Sequence, residues 1–301
     1  DFGPENFVAE AYRVNLGSLA VKSVDPLPVK RQSVVTALVE ETGQGRRPVH
    51  GGGASEALAF ALGGFGHDGE VARSHADLYR YDLSRRAWET LGARLPEPRS
   101  QFGLAEHGGK LWLFGGLDYD PRRDEDSFRH PREVLTLDLK DPTAFARSAA
   151  ELPRPRRAFG GAILDGRYYL VGGMREKFQV VEECDVFDFT AGTWETIPAP
   201  ARPRISPELV SLGGRLYLAG GSSPKASGGF EPNTSLECYD RGTKQWSVVL
   251  DTLPLPTEHV RMLRLRDRLL LYSTHHREAR ALQIVIVEPP RAGRSPGEQD
   301  A

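Results

Sequence analysis

The sequence predicts an all-β protein built from a repeated four-stranded unit. One apolar phrase closed by two glycines occurs four times, as "LAFALGG", "KLWLFGG", "RYYLVGG" and "RLYLAGG". Glycine and proline are both abundant, with 32 and 22 in 301 residues, which is typical of a chain with many turns. A phrase that returns roughly every 50 residues indicates that one structural unit is built several times.

The rest of the unit repeats in the same order. A polar loop follows each glycine pair, and then a strand-like run ends in an acid, as in "LYRYD", "VLTLD", "CDVFD" and "LECYD". The next strand carries Trp88, Trp194 or Trp246 in three copies, and a proline-basic turn such as "PEPRS" leads into the following copy. The phrases "LDGRYYL" and "LGGRLYL" predict tight hairpins with left-handed turn residues. We call the four strands of a unit a, b, c and d; the glycine pair ends strand b.

A single four-stranded sheet cannot bury both of its faces. Radial stacking of such sheets buries them and leaves only short edges exposed, so the repeat predicts a β-propeller. We expect the glycine pairs to let neighbouring backbones approach closely near the axis. We expect the tryptophans to fill the wider gap between outer strands.

The double glycines, the "RYD" and "CYD" phrases, the spaced tryptophans and the "LPxPR" turns resemble the kelch-repeat family of β-propellers. The resemblance covers about residues 12–287. It implies a kelch-type propeller whose binding surface is the face that carries the b–c loops and the d–a turns. It does not specify a function, because kelch propellers serve many roles.

The sequence contains five a–b pairs, and in the last, "RLLLYST", Ser273 and Thr274 replace the glycines. The N-terminal segment "AYRVNLGSLAVKSV" aligns with a c–d pair that lacks its own inner pair. The simplest closure lets this N-terminal strand complete the last blade, which gives five blades, with six as the alternative. The segment "ALQIVIV" competes for the same position. We expect one domain over residues 8–288 and a flexible tail over 289–301.

Candidate binding residues lie where the b–c loops and d–a turns share one face. The b–c loops differ in length and composition while the strands are alike, which favours a recognition surface. The candidates are Arg31, Gln101, Arg156, Arg157, Arg204, Ser206, Glu258 and His259 on the turns, and His275 and His276 on the last b–c loop. Two interpretations of the turn arginines are open. They form a ring for carboxylates, or they belong to the repeat and bond a neighbouring blade. Arg157 departs from the repeat, so it is the better candidate for a ligand contact.

Metal binding is weighed at two places. His259, His275, His276 and Glu258 approach one face and offer ligands to a divalent metal, or they are solvated loop residues. The loop 118–130 has acids at alternating positions, whose oxygens would suit calcium. However, it lacks the glycine turn of a calcium loop, and the alternative is that its own arginines neutralise the acids. We predict no metal and no cofactor. Cys184 and Cys238 lie in apolar runs, which predicts buried, inert thiols and excludes a disulfide framework.

The formal net charge of −2, with basic residues spread among acids, argues against a nucleic-acid partner. No apolar run is long enough to span a membrane. No signal peptide is visible in the sequence. The compartment is therefore undecided between the cytoplasm and the outside of the cell, the latter after removal of a leader. No sequence motif specifies catalysis.

The first function hypothesis is a non-catalytic module that binds a protein or peptide on the loop-rich face. The alternative is a carbohydrate-active or isomerising propeller, similar to kelch proteins that resemble sialic-acid mutarotases, with a sugar or other small molecule at the central channel. A third hypothesis is a structural subunit of a larger assembly. Exposed Phe128, Phe178 and Phe230 on a broad face would favour the first; carboxylates converging with arginine deep in the channel would favour the second.

Overall fold

The chain folds into a series of antiparallel sheets, and each sheet is built from strands that follow one another in the sequence. The computed structural model describes residues 3–18, 20–42, 45–48, 57–82, 85–256, 259–274 and 282–288. The sheets stand as the blades of a five-bladed β-propeller, so the predicted fold class is confirmed. Among the described residues, no helix is long and apolar enough to cross a membrane.

The chain enters through an isolated hairpin and then forms the first blade. A short 3-10 turn (Pro4–Asn6) precedes β1 (Ala11–Val14) and β2 (Val21–Val24), which pair only with each other among the described strands. Blade 1 and its b–c loop contain β3 (Val35–Thr42), β4 (Gly45–Pro48), β5 (Ala57–Leu62), β6 (Phe65–His67), β7 (Ala72–Ser74), β8 (Asp77–Asp82) and β9 (Ala87–Arg94). The sheet order is β4-β3-β5-β8-β9, and β6 pairs with β7 in the loop.

Blades 2 and 3 are regular four-stranded sheets. Blade 2 and its loop contain β10 (Gly103–His107), β11 (Lys110–Phe114), β12 (Asp118–Tyr119), a 3-10 turn (Pro121–Asp126), β13 (Phe128–Arg129), β14 (Glu133–Asp138) and β15 (Phe145–Glu151). Blade 3 contains β16 (Gly160–Leu164), β17 (Arg167–Val171), a 3-10 turn (Glu176–Phe178), β18 (Cys184–Asp188) and β19 (Thr193–Ile197). Asp165 and Gly166 both have left-handed φ, 49° and 70°, so the hairpin expected at "LDGRYYL" is present.

Blade 4 repeats this plan, and blade 5 has three described strands. Blade 4 and its loop contain β20 (Glu208–Leu212), β21 (Arg215–Ala219), β22 (Ser222–Pro224), β23 (Phe230–Pro232), β24 (Leu236–Asp240) and β25 (Gln245–Leu250). Blade 5 contains β26 (Val260–Leu265), β27 (Arg268–Thr274) and β28 (Leu282–Val287).

Closure of the last blade differs from the expected one. The third position of blade 5 is taken by β28, which pairs with β27 from Leu269 opposite Val287 to Thr274 opposite Leu282. β1, which was expected there, pairs with β2 instead. The C-terminal segment has the advantage that it follows β27 directly in the chain, so a short loop brings it into register.

The hydrophobic core lies between blades rather than inside one of them. One cluster joins Phe60 and Leu78 of blade 1 to Leu111 and Leu113 of blade 2, and similar clusters join each later pair of blades. Trp88, Trp194 and Trp246 lie on outer strands as expected, whereas Trp112 lies on the inner strand β11. The indole N–H of Trp246 donates to the carbonyl of Pro198, which follows strand d of blade 3, at 2.8 Å.

The glycine pairs make the close approach that the sequence predicts. A Cβ on Gly115 would lie 2.3 Å from the carbonyl oxygen of Arg156 in the next blade, and its φ is +60°. The amide of Gly116 donates to that same carbonyl at 2.9 Å. The same contact joins Gly173 to Arg204 at 2.8 Å, so the second glycine of a pair binds the next blade through its backbone.

Candidate functional site

The d–a turns form an inner ring on the face that also carries the b–c loops, and we call this the loop face. One residue in each turn adopts a left-handed φ between 51° and 57°: Ser33, Gln101, Ala158, Ser206 and His259. The amide of Ala158 donates to the carbonyl of Gln101 at 2.8 Å, and the amide of Ser206 donates to that of Ala158 at 2.7 Å. Because all five turns share this conformation, the backbone strain belongs to the repeat and not to one specialised turn.

The arginines that open the turns lie inside their own blades. Arg156 is 0% exposed; its guanidinium donates to the carboxylate of Asp185 at 2.7 Å and to the carbonyl of Gly172 at 2.7 Å. The pattern recurs in the pairs Arg31–Asp77, Arg99–Glu133 and Arg204–Glu237. Burial lowers the pKa of Arg156 and raises that of Asp185, and the charge of each partner offsets part of these shifts.

These pairs favour the second interpretation of the turn arginines, in which they belong to the repeat. The Arg156 guanidinium binds its own blade, while its backbone carbonyl binds the preceding blade through Gly116. The residues therefore belong to the repeat, although the contact to the neighbouring blade is made by the main chain and not by the side chain. Arg31, Arg156 and Arg204 bind acids of their own blades through their side chains and are not brought to the exposed surface of the loop face.

Arg157 has a different environment. It is 5% exposed, its Nη1 donates to Oε1 of Gln101 at 2.7 Å, and its guanidinium carbon lies 5.2 Å from the ring centroid of Phe178. No carboxylate among the described residues forms an ion pair with it, and its Nε has no hydrogen-bond partner there. Burial lowers the pKa of its guanidinium. Arg157 is thus a buried cation that is held by an amide and an aromatic ring.

His130 lies in the same neighbourhood. Its Nε2 is buried and has no hydrogen-bond partner among the described residues. Burial lowers the pKa of its imidazole; the charge of Glu176 partly offsets this and that of Arg157 adds to it. The imidazole is therefore neutral at pH 7, which leaves Arg157 as the positive charge of this cluster.

Aromatic side chains form a row along the b–c loops of blades 1 and 2. Phe65 contacts Tyr119 at 5.9 Å between ring centroids, and Tyr119 contacts Phe128 at 4.6 Å. Phe128 is 51% exposed and Phe178 is 57% exposed. Exposed rings beside a buried cation are the composition of a protein-recognition surface more than of a closed substrate pocket.

The acidic loop between β12 and β13 is neutralised by its own arginines. Both Nη atoms of Arg123 donate to the buried carboxylate of Asp118, at 2.5 and 3.0 Å. Arg122 pairs with Asp120 and Arg129 with Asp126. Across the parts of the chain that the structure describes, no group of three or more His, Cys, Asp or Glu side chains is placed to hold a metal ion.

The structure brings together some of the predicted residues and not others. Gln101 and Arg157 are in direct contact, and Ser206 follows them around the inner ring. His259 occupies the corresponding position in the last turn. Glu258, His275 and His276 lie outside the described residues, so the predicted histidine cluster stays a prediction. The sequence pattern did not single out His130, because its place near Arg157 depends on a b–c loop that has no counterpart elsewhere in the repeat.

Both cysteines are buried, as expected. Cys184 lies on β18 and Cys238 on β24, in different blades. Burial raises the pKa of Cys184 to about 12 and also raises that of Cys238, so both thiols stay protonated at neutral pH.

A family model described as the KLHDC2/KLHL20/DRC7 Kelch-repeats domain matches residues 53–273, which is more than half of the chain. The chain belongs to the kelch-repeat family. This agrees with the repeat described above, in which glycine pairs and turn arginines recur blade by blade.

Curated relatives share about a quarter of their residues with the chain over the matched region. β-Scruin of Limulus polyphemus is 26% identical over 57% of the chain, and kelch-like protein 15 of Danio rerio is 28% identical over 66%. Leucine-zipper-like transcriptional regulator 1 of Homo sapiens is 26% identical over 58%. The chain spans only 18%, 34% and 21% of these three proteins, respectively.

Among solved structures, that of YjhT is similar to this chain, with a TM-score of 0.75 over 95% of this chain and 96% of the other. The two sequences are 14% identical, so the match concerns the fold alone.

Proposed function

We propose that this propeller is a non-catalytic module that binds a protein or peptide on its loop face. The observation that carries the proposal is exposed Phe178 against Arg157, a buried guanidinium with no carboxylate partner among the described residues. Exposed Phe128 lies on the b–c loop of the preceding blade. Aromatic and arginine side chains supply most of the binding free energy in protein interfaces. Variable b–c loops on a repeated scaffold suit the selection of one partner.

The partner that fits this surface carries an acidic side chain next to an apolar one. The positive charge of Arg157 attracts an anion, while Phe128 and Phe178 offer rings on which an apolar side chain packs. The alternative function, an isomerising or carbohydrate-active propeller, needs carboxylates placed with arginine to move a proton. At Arg157 the described neighbours are Gln101 and Phe178 instead, and this favours binding over catalysis.

The test is capture of partners with a photo-crosslinker placed at the exposed position 177, next to Phe178, in every protein compared, followed by mass spectrometry that maps the crosslinked peptides. We expect one protein to be captured stoichiometrically by the wild type and to be lost in the double variant Phe128→Asp/Phe178→Asp. The matched control is Val248→Asp. Val248 is exposed to a similar degree, but it lies on the outer strand β25 and not on the loop face. A partner that binds all three proteins equally contradicts the proposed surface. Native mass spectrometry that finds a bound sugar instead supports the alternative.

A further inference from the structure

The b–c loop of blade 3 ends in a short turn that places the ring of Phe178 on the guanidinium of Arg157. The base of the loop is fixed, because the amide and the carbonyl of Arg157 both bond Met174, each at 2.9 Å. We call residues 175–179 the tip, and a bond of 2.9 Å from the amide of its first residue to the carbonyl of its last closes it. The loop therefore doubles back over the side chain of the residue to which its base is bonded.

The tip has a strained backbone. Lys177 and Phe178 are consecutive, and both have left-handed φ values, 54° and 58°. This conformation is costly for residues other than glycine, because the Cβ atom crowds a carbonyl oxygen. The b–c loop of blade 4 has the unstrained form: the amide of Lys225 donates to the carbonyl of Gly229 at 3.0 Å, and the left-handed residues are Gly228 and Gly229. Blade 3 closes a turn of the same length without glycine.

Few bonds hold the tip in this conformation. All five of its residues are exposed. Besides the closing bond, the amide of Gln179 donates to the carbonyl of Glu176 at 3.2 Å, and Nε of Arg175 donates to Oε1 of Gln179 at 3.1 Å. The ring of Phe178 lies 5.2 Å from the guanidinium carbon of Arg157. A segment with so few buried contacts opens at little cost in free energy.

The polar groups next to the ring offer hydrogen-bond donors. A guanidinium has no acceptor, so the bond of 2.7 Å from Nη1 of Arg157 ends on Oε1 of Gln101 and leaves the amide NH₂ of Gln101 as a further donor. Nε of Arg157 has no hydrogen-bond partner among the described residues. A ligand that satisfies these groups is an acceptor with a negative charge, and a planar carboxylate matches the guanidinium in shape.

The exposed ring of Phe178 covers one side of the buried guanidinium, so its displacement would open Arg157 and release the strain of the backbone. We propose that the tip is a gate: Phe178 covers Arg157 in the free protein, and a carboxylate of an acidic partner side chain displaces the ring and binds the guanidinium. This inference rests on the proposed function, because it takes the loop face as the binding surface and adds how the cation becomes available.

The first test measures the binding of sodium acetate, a minimal carboxylate, to the full 301-residue chain by NMR at constant ionic strength. With isotope-labelled arginine, the Nε–H signal of Arg157, identified by its loss in Arg157→Met, reports on the guanidinium. A para-fluorophenylalanine at position 178 reports on the ring. We expect acetate, but not acetamide, to move both signals in parallel. Phe178→Ala removes the cover and should bind acetate about tenfold more tightly, because every molecule is then competent to bind.

The second test isolates the strain with paired variants of one lysine. Lys177→Ala and Lys177→Gly both remove the charge, but only glycine adopts the left-handed conformation without strain. Lys177→Gly should therefore stabilise the closed tip and bind acetate about threefold or more weakly than Lys177→Ala. Lys244 is the matched control, because its φ is 56° in the c–d turn of blade 4, outside the loop face. Lys244→Gly and Lys244→Ala should bind acetate equally.

Four results overturn the proposal. They are no binding of acetate by either the wild type or Phe178→Ala, binding by Phe178→Ala that is no tighter than that of the wild type, a ring signal that stays fixed while the signal of Arg157 moves, and equal binding by the two variants of Lys177. None of these measurements uses a partner. A failed capture at the loop face would therefore contradict the proposed function and leave the gate standing, whereas a fixed ring would contradict the gate alone.

Discussion

At the scale of single residues, two adjacent arginines of one turn have different environments. Arg156 and Arg157 are both almost fully buried, yet only Arg156 has a carboxylate partner in the described residues. A buried ion pair contributes little net stability, but removal of one partner is costly because it leaves the other charge unpaired. A buried cation without a counter-charge lowers stability in the free protein, as binding residues often do.

The matched variants Arg156→Met and Arg157→Met should therefore change the free energy of unfolding by different amounts. Arg156→Met leaves the buried Asp185 with only its longer ion pair to Arg154, at 3.5 Å, and should lower the free energy of unfolding by about 3 kcal/mol. Arg157→Met leaves only the Gln101 amide without a bond and should change it by less than about 1 kcal/mol, or raise it. Urea unfolding followed by tryptophan fluorescence measures both. Equal destabilisation by the two variants would show that Arg157 has a structural role like that of Arg156.

His75 should make stability depend on pH. Burial, and then the nearby charge of Arg31, lower the pKa of its imidazole from 6.5 to about 4, and its Nε2 lies 3.0 Å from the carbonyl of Gly66. Because the unfolded chain binds a proton more readily than the fold, stability falls as the pH falls from about 6.5 towards 4, by up to about 3 kcal/mol.

The variant His75→Gln isolates this contribution, since a glutamine amide keeps a donor for Gly66 and does not titrate. Urea unfolding of both proteins at several pH values between 4 and 7 should give a flatter profile for the variant. His107 and His130 also have lowered pKa values and remain in both proteins, so their effects cancel in the difference. Parallel profiles would exclude His75 as the source.

At the scale of elements, the contact between blades is made by backbone atoms at the glycine pairs. Gly108→Ala and Gly115→Ala form a matched pair, with φ values of 63° and 60°. Both variants place alanine in a left-handed conformation, which costs about 1–2 kcal/mol. Only at position 115 does the new Cβ also meet a backbone oxygen, at 2.3 Å, while at 108 nothing lies within 4 Å.

Gly115→Ala should therefore be less stable than Gly108→Ala by about 2 kcal/mol or more, because the blades must separate to admit the methyl group. Thermal unfolding by circular dichroism compares the two variants at one protein concentration. Equal melting temperatures would show that the blades separate at little cost.

The elements also show how far the sequence predicts this molecule. The glycine pairs, hairpin turns and tryptophans predict the blades because each is a local pattern that recurs with the same role. In blades 1 to 4 an acid stands near the start of strand c: Asp77, Glu133, Asp185 and Glu237. This recurrence could have predicted the buried ion pairs, but only the arginines were considered. The contact of Arg157 with Phe178 was beyond prediction, since it depends on a loop that occurs once. The competition between β28 and β1 was decided by chain connectivity that the two similar apolar patterns do not encode.

At the scale of the whole molecule, protection is expected to be uneven around the ring. Blades 2 to 4 have both neighbours, whereas β1 and β28 each have an open edge among the described strands. Hydrogen exchange measured by mass spectrometry should therefore show slow exchange for β16–β17 and β20–β21 and much faster exchange for β1–β2 and β28. Uniform protection across these peptides would contradict this expectation.

The bond from the second glycine to the next blade has a consequence for how such proteins change over generations. This bond joins a backbone amide to a backbone carbonyl, so it depends on almost none of the side chains around it. Each turn arginine likewise finds its acid within its own repeat. A gene segment cut at the d–a turns thus encodes a part with the same main-chain connector at both ends. Duplication, loss or exchange of such segments would alter the number of blades, and the loops displayed on them, without a new interface having to arise.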